Sequence, residues 1–490
     1  MNKLLAGSMT GCIAMMSLSG MANATDDFGA RVEHLLNRKS NKLFGITKPL
    51  PAAATEADYI DRESARANQR ILLAKGLRAK YVTRSMGVSG DMMVLWPSEK
   101  NYTHIIVCIE QGRATDGLNA GVQSIDIKTG KVENILYGMN RCDGIRTTAW
   151  GTILATEEAS DGRAYEIINP LATNGHWVAD RATGDIRNGI NSNVASQHVV
   201  QRAALPTMAW EGLTVLENGV VIGGDELRPG SYADANGSND TDGGAIFKFV
   251  PDVPYTNKSA IKKLSDSPLV SGQSYAMQVS CVNSKQQTGQ GCEVGNAAWI
   301  GVDPLDARMD ADAGHATGYY RPEDLHRDPV YTGEGVRFCW TNTGNEGAAN
   351  FGEVICGVDS NPLLADNNTR SVIVNRFFEG DTRFNSVDNL AFQPRTGHLY
   401  VIEDHQYGEV FACLPDGNDR DIKTDGCIGV LSVIDPVAEP TGFMFDGSGK
   451  VAFVIVQHGE QPDSLLDFDS NPVNGRTDDL IMITGFKIKQ

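Results

Sequence analysis

Short apolar runs separated by turn residues dominate this chain from about residue 91 to its end. Examples are Thr103 to Ile109, Ala298 to Val302 and Lys450 to Gln457, each bounded by polar or glycine-containing turns. The 52 glycines fit the many turns that such a pattern requires. Because no long helical segment separates the runs, the pattern predicts an all-β sandwich, barrel or propeller rather than a parallel sheet with crossover helices.

A weak internal repeat runs through the β-rich part. Its unit is an acidic residue in a turn, a short strand, a glycine turn, and a second strand with a polar or acidic end. Copies of this unit begin at Trp210, Asp388 and Glu439, and the start of a fourth copy lies at Arg321. The stretch from Met139 to Ser160 contains the second half of the unit. Such a repeat favours a propeller, because one blade cannot bury both of its faces alone.

Acidic residues at equivalent ends of the innermost strands would meet at one mouth of the propeller channel. They are Glu157, Glu158, Glu211, Glu323, Asp388 and Glu439. Crowded carboxylates stay ionised only when cations neutralise them, so this arrangement predicts a metal site. Glu403 and Asp404, at the end of another strand, could coordinate calcium or simply end that strand. A pair of sandwiches would scatter the same acids.

The first 24 residues have the pattern of a Sec-type signal peptide. Lys3 supplies the charge, Leu4 to Leu18 the apolar core, and Ala22-Asn23-Ala24 the cleavage site. The mature chain is therefore expected to be periplasmic or secreted. No later apolar run is long enough to span a bilayer.

Two further segments follow the signal peptide. Residues 25–90 are predicted to form a helical arm, with one or two helices between Glu56 and Arg84, and residues 91–490 a single β-domain. The formal net charge of −18 argues against a nucleic acid partner, because binding to a phosphate backbone needs clustered Lys and Arg. The same acidity is compatible with divalent cations.

Eight of the nine cysteines follow the signal peptide. Six form short-range candidate pairs: Cys281–Cys292, Cys339–Cys356 and Cys413–Cys427. Disulfides persist outside the cytosol, although sequence alone does not fix their connectivity. The remaining two are Cys108, in an apolar strand, and Cys142, in a polar loop. Cys142 is the better candidate for a metal-binding thiolate, and a Cys108–Cys142 disulfide is the alternative.

Five motifs, in order between about residues 139 and 460, resemble the PhoX-type alkaline phosphatases. They are NRCDGIRTTAWGTILATEE, WEGLTVLENGVVIGGDE, YRPEDL, SVDNLAFQPRTGHLYVIED and EPTGFMFDGSGKVAFVIVQHGE. The resemblance implies an exported six-bladed β-propeller with calcium and iron (Fe3+) ions in its channel, and hydrolysis of phosphate monoesters.

The resemblance also implies roles for individual residues. Cys142 matches the cysteine that ligates iron, and Arg321 matches an arginine that contacts phosphate. The matching acids are Glu158 with Glu157 beside it, Glu211, Glu323, Asp388 and Glu439, and His458 matches a Gln-His pair near the end. Arg321, Glu211 and Glu323 are thereby assigned to catalysis. The chain departs from the family pattern at Trp210, where a His is usual, and at Asp143, where a small residue is usual.

The resulting hypothesis is a monomeric, metal-dependent phosphatase acting on small-molecule phosphate esters. A different calcium-dependent propeller hydrolase, such as a phosphodiesterase or a lactonase, would use the same acids. A non-catalytic propeller that calcium stabilises is the third reading. The sequence contains neither a G-x-S-x-G nucleophile elbow nor a phosphate-binding loop with Lys and Ser or Thr, so a serine nucleophile has no support.

Overall fold

The computed structural model describes residues 28–231, 242–279, 293–415, 426–462, 464–467, 470–473 and 475–488. The predicted signal peptide and the candidate pair Cys281–Cys292 lie outside these residues. Over the part described, strands dominate, and the all-β prediction is confirmed. None of the helices found there combines the length and the apolar character needed to cross a membrane.

Helices are few and short. The two α-helices are α1 (Phe28–Leu43) and α2 (Ala307–Ala313). Turns of 3-10 helix lie at Glu56–Asp58, Ala67–Gln69, Pro170–Ala172, Leu264–Asp266, Pro268–Val270 and Glu346–Ala348.

The strands of the described residues are, in chain order, β1 (Ile71–Leu73), β2 (Arg78–Gly87), β3 (Gly90–Trp96), β4 (His104–Ile109), β5 (Ala120–Asp126), β6 (Val132–Tyr137), β7 (Cys142–Thr147), β8 (Thr152–Glu157), β9 (Ala164–Ile168), β10 (His176–Asp180), β11 (Asp185–Arg187), β12 (Val199–Gln201), β13 (Trp210–Val215), β14 (Val221–Asp225), β15 (Ile246–Pro251), β16 (Gly272–Val279), β17 (Gly295–Val302), β18 (Pro322–Arg327), β19 (Val336–Asn342), β20 (Glu353–Asp359), β21 (Val372–Glu379), β22 (Val387–Phe392), β23 (Leu399–Glu403), β24 (Glu409–Cys413), β25 (Cys427–Val433), β26 (Glu439–Phe445), β27 (Val451–Gln457) and β28 (Thr477–Thr484).

Antiparallel four-stranded units follow one another along the chain. They are β3-β4-β5-β6, β7-β8-β9-β12, β13-β14-β15-β16, β18-β19-β20-β21, β22-β23-β24-β25 and β26-β27-β28-β2. Strand β17 joins β16 to β21, so the third and fourth units share one nine-stranded sheet. Strands β10 and β11 extend the first unit, and β1 extends the fifth.

The first strand of each unit contacts the first strand of the next unit. The contacting pairs are β3–β7, β7–β13, β13–β18, β18–β22, β22–β26 and β26–β3. These contacts form a closed cycle around a common axis. Buried apolar clusters fill the gaps between neighbouring units; Met93 of the first unit, for example, shares a cluster with Ile455 of the last. Each sheet is thus buried on both faces, as in a propeller. The blade number of six stays a prediction that this cycle supports.

The N-terminal segment supplies the fourth strand of the last unit and so completes the cycle of units. Strand β2 pairs along β28, with Tyr81 opposite Ile481, and so completes the last unit. The predicted helices between Glu56 and Arg84 are therefore wrong: apart from short 3-10 turns, this segment forms strands. Its Arg- and Ala-rich composition favours helix, but pairing with a strand some 400 residues away outweighs local propensity.

A buried ion-pair network ties this segment to β28. Asp479 Oδ1 lies 2.8 Å from Arg62 Nη2 and 3.3 Å from Arg84 Nε, and its Oδ2 lies 3.2 Å from Arg70 Nε. The three guanidinium groups and the carboxylate are almost completely buried. Buried charges of this kind need each other, because an unpaired one would cost several kcal/mol.

Candidate metal and active site

The second residue of the innermost strand is acidic in five of the six units. These inner acids are Asp91, Asp143, Glu211, Glu323 and Asp388, and Pro440 takes the position in the last unit. In each of the five units the innermost strand holds one extra residue here, so the pairing with the second strand shifts. Such a bulge re-aims a side chain locally, and bulges are common beside active sites. Repetition of the same bulge places the five carboxyl groups at one end of the cycle of units.

A second set of acids follows the second strand of four units. These outer acids are Glu110, Glu158, Glu226 and Asp404, and Thr343 and His458 take the position in the other two units. The first residue of each innermost strand pairs with the last residue of the second strand, as Cys142 does with Glu157. The residue after the second strand therefore lies beside the inner acid of the same unit.

Adjacent acids at these strand ends have different roles. Glu157 accepts hydrogen bonds from the backbone N–H groups of Asn140 (2.7 Å) and Arg163 (3.0 Å) and lies 2.8 Å from Arg181 Nη2. Its neighbour Glu158 joins the outer acids, because successive side chains of a strand point to opposite faces. Glu157 therefore holds the loop that precedes β7, and these contacts favour a structural role for it, while its role as a metal ligand stays a prediction.

Glu403 repeats this arrangement in the fifth unit. It accepts hydrogen bonds from the N–H groups of Asn385 and Glu409, both at 3.0 Å, and lies 3.3 Å from His405 Nε2. These contacts likewise favour a structural role for Glu403, whose role as a metal ligand stays a prediction, and Asp404 is the member of the pair that belongs to the outer set.

Close packing of the innermost strands brings the acids of different units together. A Cβ atom on Gly144 would lie 2.1 Å from the carbonyl oxygen of Glu211, and one on Gly212 would lie 1.9 Å from the backbone nitrogen of Leu325. Only glycine permits these approaches between the second, third and fourth units.

Seven of these acids form a continuous series of possible metal-binding groups. Within each group, carboxylate oxygens lie within 4.8 Å of one another; the groups are Asp91–Glu110–Asp143, Asp143–Glu158–Glu211 and Glu211–Glu226–Glu323. Neighbouring groups share Asp143 and Glu211, so the series, termed here the carboxylate ring, crosses four units. Among the predicted ligands, Glu158, Glu211 and Glu323 belong to it.

The remaining predicted acids lie beside the carboxylate ring. Burial, followed by the charges of Glu323 and Asp404, holds the pKa of Asp388 well above its usual range. Burial and a hydrogen bond with Asp404 raise the pKa of Glu439 to about 10. Glu439 Oε1 also lies 3.0 Å from His458 Nδ1, and the Nε2 of that imidazole lies 3.2 Å from Ser89 Oγ. Asp388, Asp404 and Glu439 thus share the electrostatic environment of the ring without joining its three groups.

Cys142 is not a free thiol. It forms a disulfide with Cys108, the alternative that its sequence position left open. A disulfide sulfur carries no thiolate charge, so the prediction of Cys142 as a metal ligand is wrong. The candidate disulfides Cys339–Cys356 and Cys413–Cys427 are both present.

The carboxylate ring is electrostatically unfavourable by itself. Burial, and then the neighbouring carboxylates, hold the pKa values of Asp91, Asp143 and Glu211 well above the usual range. Burial, together with Glu226 and Asp404, raises the pKa of Glu323 to about 8 even though Arg321 opposes it. The ring therefore holds protons near neutral pH unless a cation takes their place.

The donor set fits a hard divalent cation. Asp91 Oδ1 and Asp143 Oδ1 are buried and have no hydrogen-bond partner, although buried carboxylate oxygens nearly always have one. Several carboxylates with free oxygen atoms are the ligands that Ca2+ prefers. Within the described part of the chain, the three groups contain oxygen donors alone.

Two arginines border the carboxylate ring. Arg321 Nε donates a hydrogen bond of 2.8 Å to Glu226, and its Nη2 lies 3.1 Å from Glu323 Oε1. Arg141 Nη2 lies 2.8 Å from Glu110 Oε1. Each arginine immediately precedes an innermost strand and has a left-handed backbone conformation, with φ of 58° and 57°. Ser89 and Ser386 have the same conformation immediately before β3 and β22, so it is a feature of the repeat.

Sequence reasoning missed four members of the carboxylate ring: Asp91, Glu110, Asp143 and Glu226. The repeat contained the signal. Asp91 stands just before the predicted strand at Met92, and Glu110 directly follows the predicted strand that ends at Ile109, as Glu158 follows its own. Aligning all strand ends by position, rather than searching for paired acids, would have found them.

A protein family resembles this chain in sequence, and a solved structure resembles it in fold. The family model for alkaline phosphatase PhoX matches residues 63–460. A search of curated proteins finds no match. Among solved structures, Pseudomonas fluorescens PhoX in complex with vanadate, a transition state analogue, has a TM-score of 0.58 at 16% identity, covering 89% of this chain and 97% of that one. A gluconolactonase from Xanthomonas campestris has a TM-score of 0.39 at 11% identity, covering 90% of this chain and 100% of that one. The family model spans most of the sequence, including every acid of the carboxylate ring, and on that basis the chain belongs to the alkaline phosphatase PhoX family.

Proposed function

We propose that this phosphatase hydrolyses phosphate monoesters of small molecules at the carboxylate ring, with Ca2+ as its resident cation. The observation that carries the proposal is a continuous series of buried carboxylates with unpartnered oxygens and an arginine in contact with it. That combination can hold cations and bind an anion at the same place.

The residues that would hold Ca2+ are the seven acids of the carboxylate ring, with Asp388, Asp404 and Glu439 beside them. Bound cations would polarise the phosphoryl oxygens and neutralise the charge that develops during transfer. Arg321 offers a planar fork of donors that matches two phosphate oxygens. Its ion pairs with Glu226 and Glu323 hold that fork at the ring before substrate arrives.

Calcium alone is proposed here. The iron prediction depended on Cys142, whose sulfur is in a disulfide. Carboxylate oxygens suit a hard cation such as Ca2+, whereas a thiolate would have favoured a softer transition metal.

Export from the cytosol is also part of the proposal. Three disulfides join described cysteines, and such bonds persist in oxidising compartments. The predicted signal peptide agrees with a periplasmic or secreted location. The monomeric state stays a prediction.

The test measures metal content and hydrolysis on the same preparation. Natively purified protein is analysed for calcium and iron, then assayed with p-nitrophenyl phosphate before and after treatment with a chelator. We expect bound calcium, loss of turnover on chelation, and recovery on adding Ca2+. Turnover by metal-free protein at the original rate would overturn the proposal.

A matched pair of variants locates the site. Glu211→Gln removes an acid shared by two groups of the carboxylate ring and should lower kcat by about 100-fold or more. Glu217→Gln changes an acid whose side chain is 76% exposed, and should leave turnover unchanged. A phosphodiester and a lactone in the same assay separate the alternative hydrolase functions. Equal rates for the two variants would place the chemistry elsewhere.

A further inference from the structure

We infer that Arg141 is a second anion-binding residue of this site, which with Arg321 forms a two-armed clamp on the phosphoryl group. The inference rests on the proposed function and names a specificity-determining residue that the sequence reasoning did not assign. It follows from the position, contacts and exposure of the Arg141 side chain.

The repeat makes the two arginines equivalent. Arg141 immediately precedes β7 and Arg321 immediately precedes β18. Each therefore stands two residues before an inner acid, Asp143 in one unit and Glu323 in the other. The left-handed backbone is the same at both positions, and each guanidinium group pairs with outer acids.

One chain of contacts connects the two guanidinium groups. Arg141 Nε lies 3.4 Å from Glu158 Oε2, and Arg321 Nε lies 2.8 Å from Glu226 Oε1. Glu158 and Glu226 belong to two neighbouring groups of the carboxylate ring, and both groups contain Glu211. The arginines thus stand on either side of these groups, so both border the place where a phosphoryl group would meet bound metal.

Exposure distinguishes the two arms. The Arg321 side chain is 15% exposed and is held by two acids, whereas the Arg141 side chain is 47% exposed. An anion that enters from solvent can reach Arg141 directly and would then pass to Arg321. Two forks on one phosphoryl group bind its charge more tightly and fix its orientation more strictly than one arginine does.

A purely structural role is the competing account. Arg141 could simply neutralise Glu110 and Glu158, to which it is paired. In that case its loss would lower calcium content or Tm, and phosphate affinity would return to the wild-type value once Ca2+ saturates the site. Phosphate affinity measured beside calcium content and Tm therefore separates the two roles.

The experiment uses full-length, calcium-loaded protein and inorganic phosphate as the probe. Arg141→Met should raise the KM for p-nitrophenyl phosphate and the Ki of phosphate by about 10- to 100-fold, the value of one charge-assisted contact. Arg141→Lys keeps the positive charge without the planar fork of donors, so its KM and Ki should lie between those of Arg141→Met and those of the wild type. Titration calorimetry with phosphate gives the same ranking without turnover.

Arg327→Met is the control. Its side chain is 43% exposed and has an ion pair with Glu217. Arg327 is the last residue of β18, at the opposite end of the strand from Glu323. It should change neither KM nor Ki. An unchanged phosphate Ki in Arg141→Met, or a raised Ki that saturating Ca2+ restores to the wild-type value, would overturn the inference while the phosphatase proposal stands. Wild-type protein that neither binds phosphate nor hydrolyses esters would overturn both.

Discussion

Glu323 makes the stability of the metal-free protein depend on pH. Its side chain is 2% exposed, lies 3.1 Å from Arg321 Nη2, and accepts a hydrogen bond from Thr343 Oγ1. Burial and the nearby acids raise its pKa from an ordinary 4.5 to about 8. The folded state therefore keeps a proton on this carboxyl group over a pH range in which the unfolded chain has already lost it.

The sign of the effect follows from proton linkage. Between pH 4.5 and 8 the folded state binds more protons than the unfolded state at Glu323, so stability falls as pH rises. The contribution is fully present below pH 4.5 and is lost as pH passes through about 8. Since one pKa unit corresponds to about 1.4 kcal/mol, the loss is at most about 5 kcal/mol.

The perturbation is Glu323→Gln, which cannot ionise. Urea unfolding of chelated wild type and variant at several values between pH 5 and pH 8 gives the two stability curves. We expect the wild-type curve to fall more steeply, and the curves to separate by up to about 4 kcal/mol at pH 8 relative to pH 5. Added Ca2+ should stabilise the wild type more at pH 8 than at pH 5, because the ionised carboxylate binds the cation. Glu217→Gln should follow the wild type, and parallel curves for wild type and Glu323→Gln would refute the reasoning.

Two further predictions test residues whose roles differ from their sequence assignment. Glu158→Gln should lower calcium affinity by about 10-fold or more. Its neighbour Glu157→Gln should retain calcium and lower the free energy of unfolding by about 1–3 kcal/mol, because Glu157 holds Arg181 and two backbone N–H groups. Calcium titration and urea unfolding of both variants check this, and equal calcium affinities would contradict it. The double variant Cys108→Ser/Cys142→Ser should lose about 2–4 kcal/mol of stability and keep its calcium, as measured by unfolding and elemental analysis; loss of metal without loss of stability would restore Cys142 as a ligand.

Much of the site could be found from the sequence because the repeat is local. Their positions at strand ends predict Glu158, Glu211 and Glu323 as metal ligands, and all three lie in the carboxylate ring. Asp91 and Glu110 occupy the same positions in the first unit, but as single acids without an acidic neighbour they are inconspicuous in the sequence.

The choice within each acid pair depends on strand alternation and on a bulge. Glu157 and Glu158 are chemically identical, yet one binds Arg181 and the other joins the carboxylate ring. Alternation separates their directions, but which direction faces the axis depends on how the strand packs between its neighbours. The sequence predicts that neighbouring side chains point in opposite directions, but it does not show how the strand packs between its neighbours.

The sequence by itself determined the all-β class, the repeated strand ends and the acidic chemistry, because these depend on residue type and on spacing along the chain. The tertiary structure alone decided that β2 completes the last unit, that Cys142 pairs with Cys108, and that acids from four units meet. Each of these outcomes joins residues of different strands or distant segments, and its free energy comes from contacts that form only once the ring has closed.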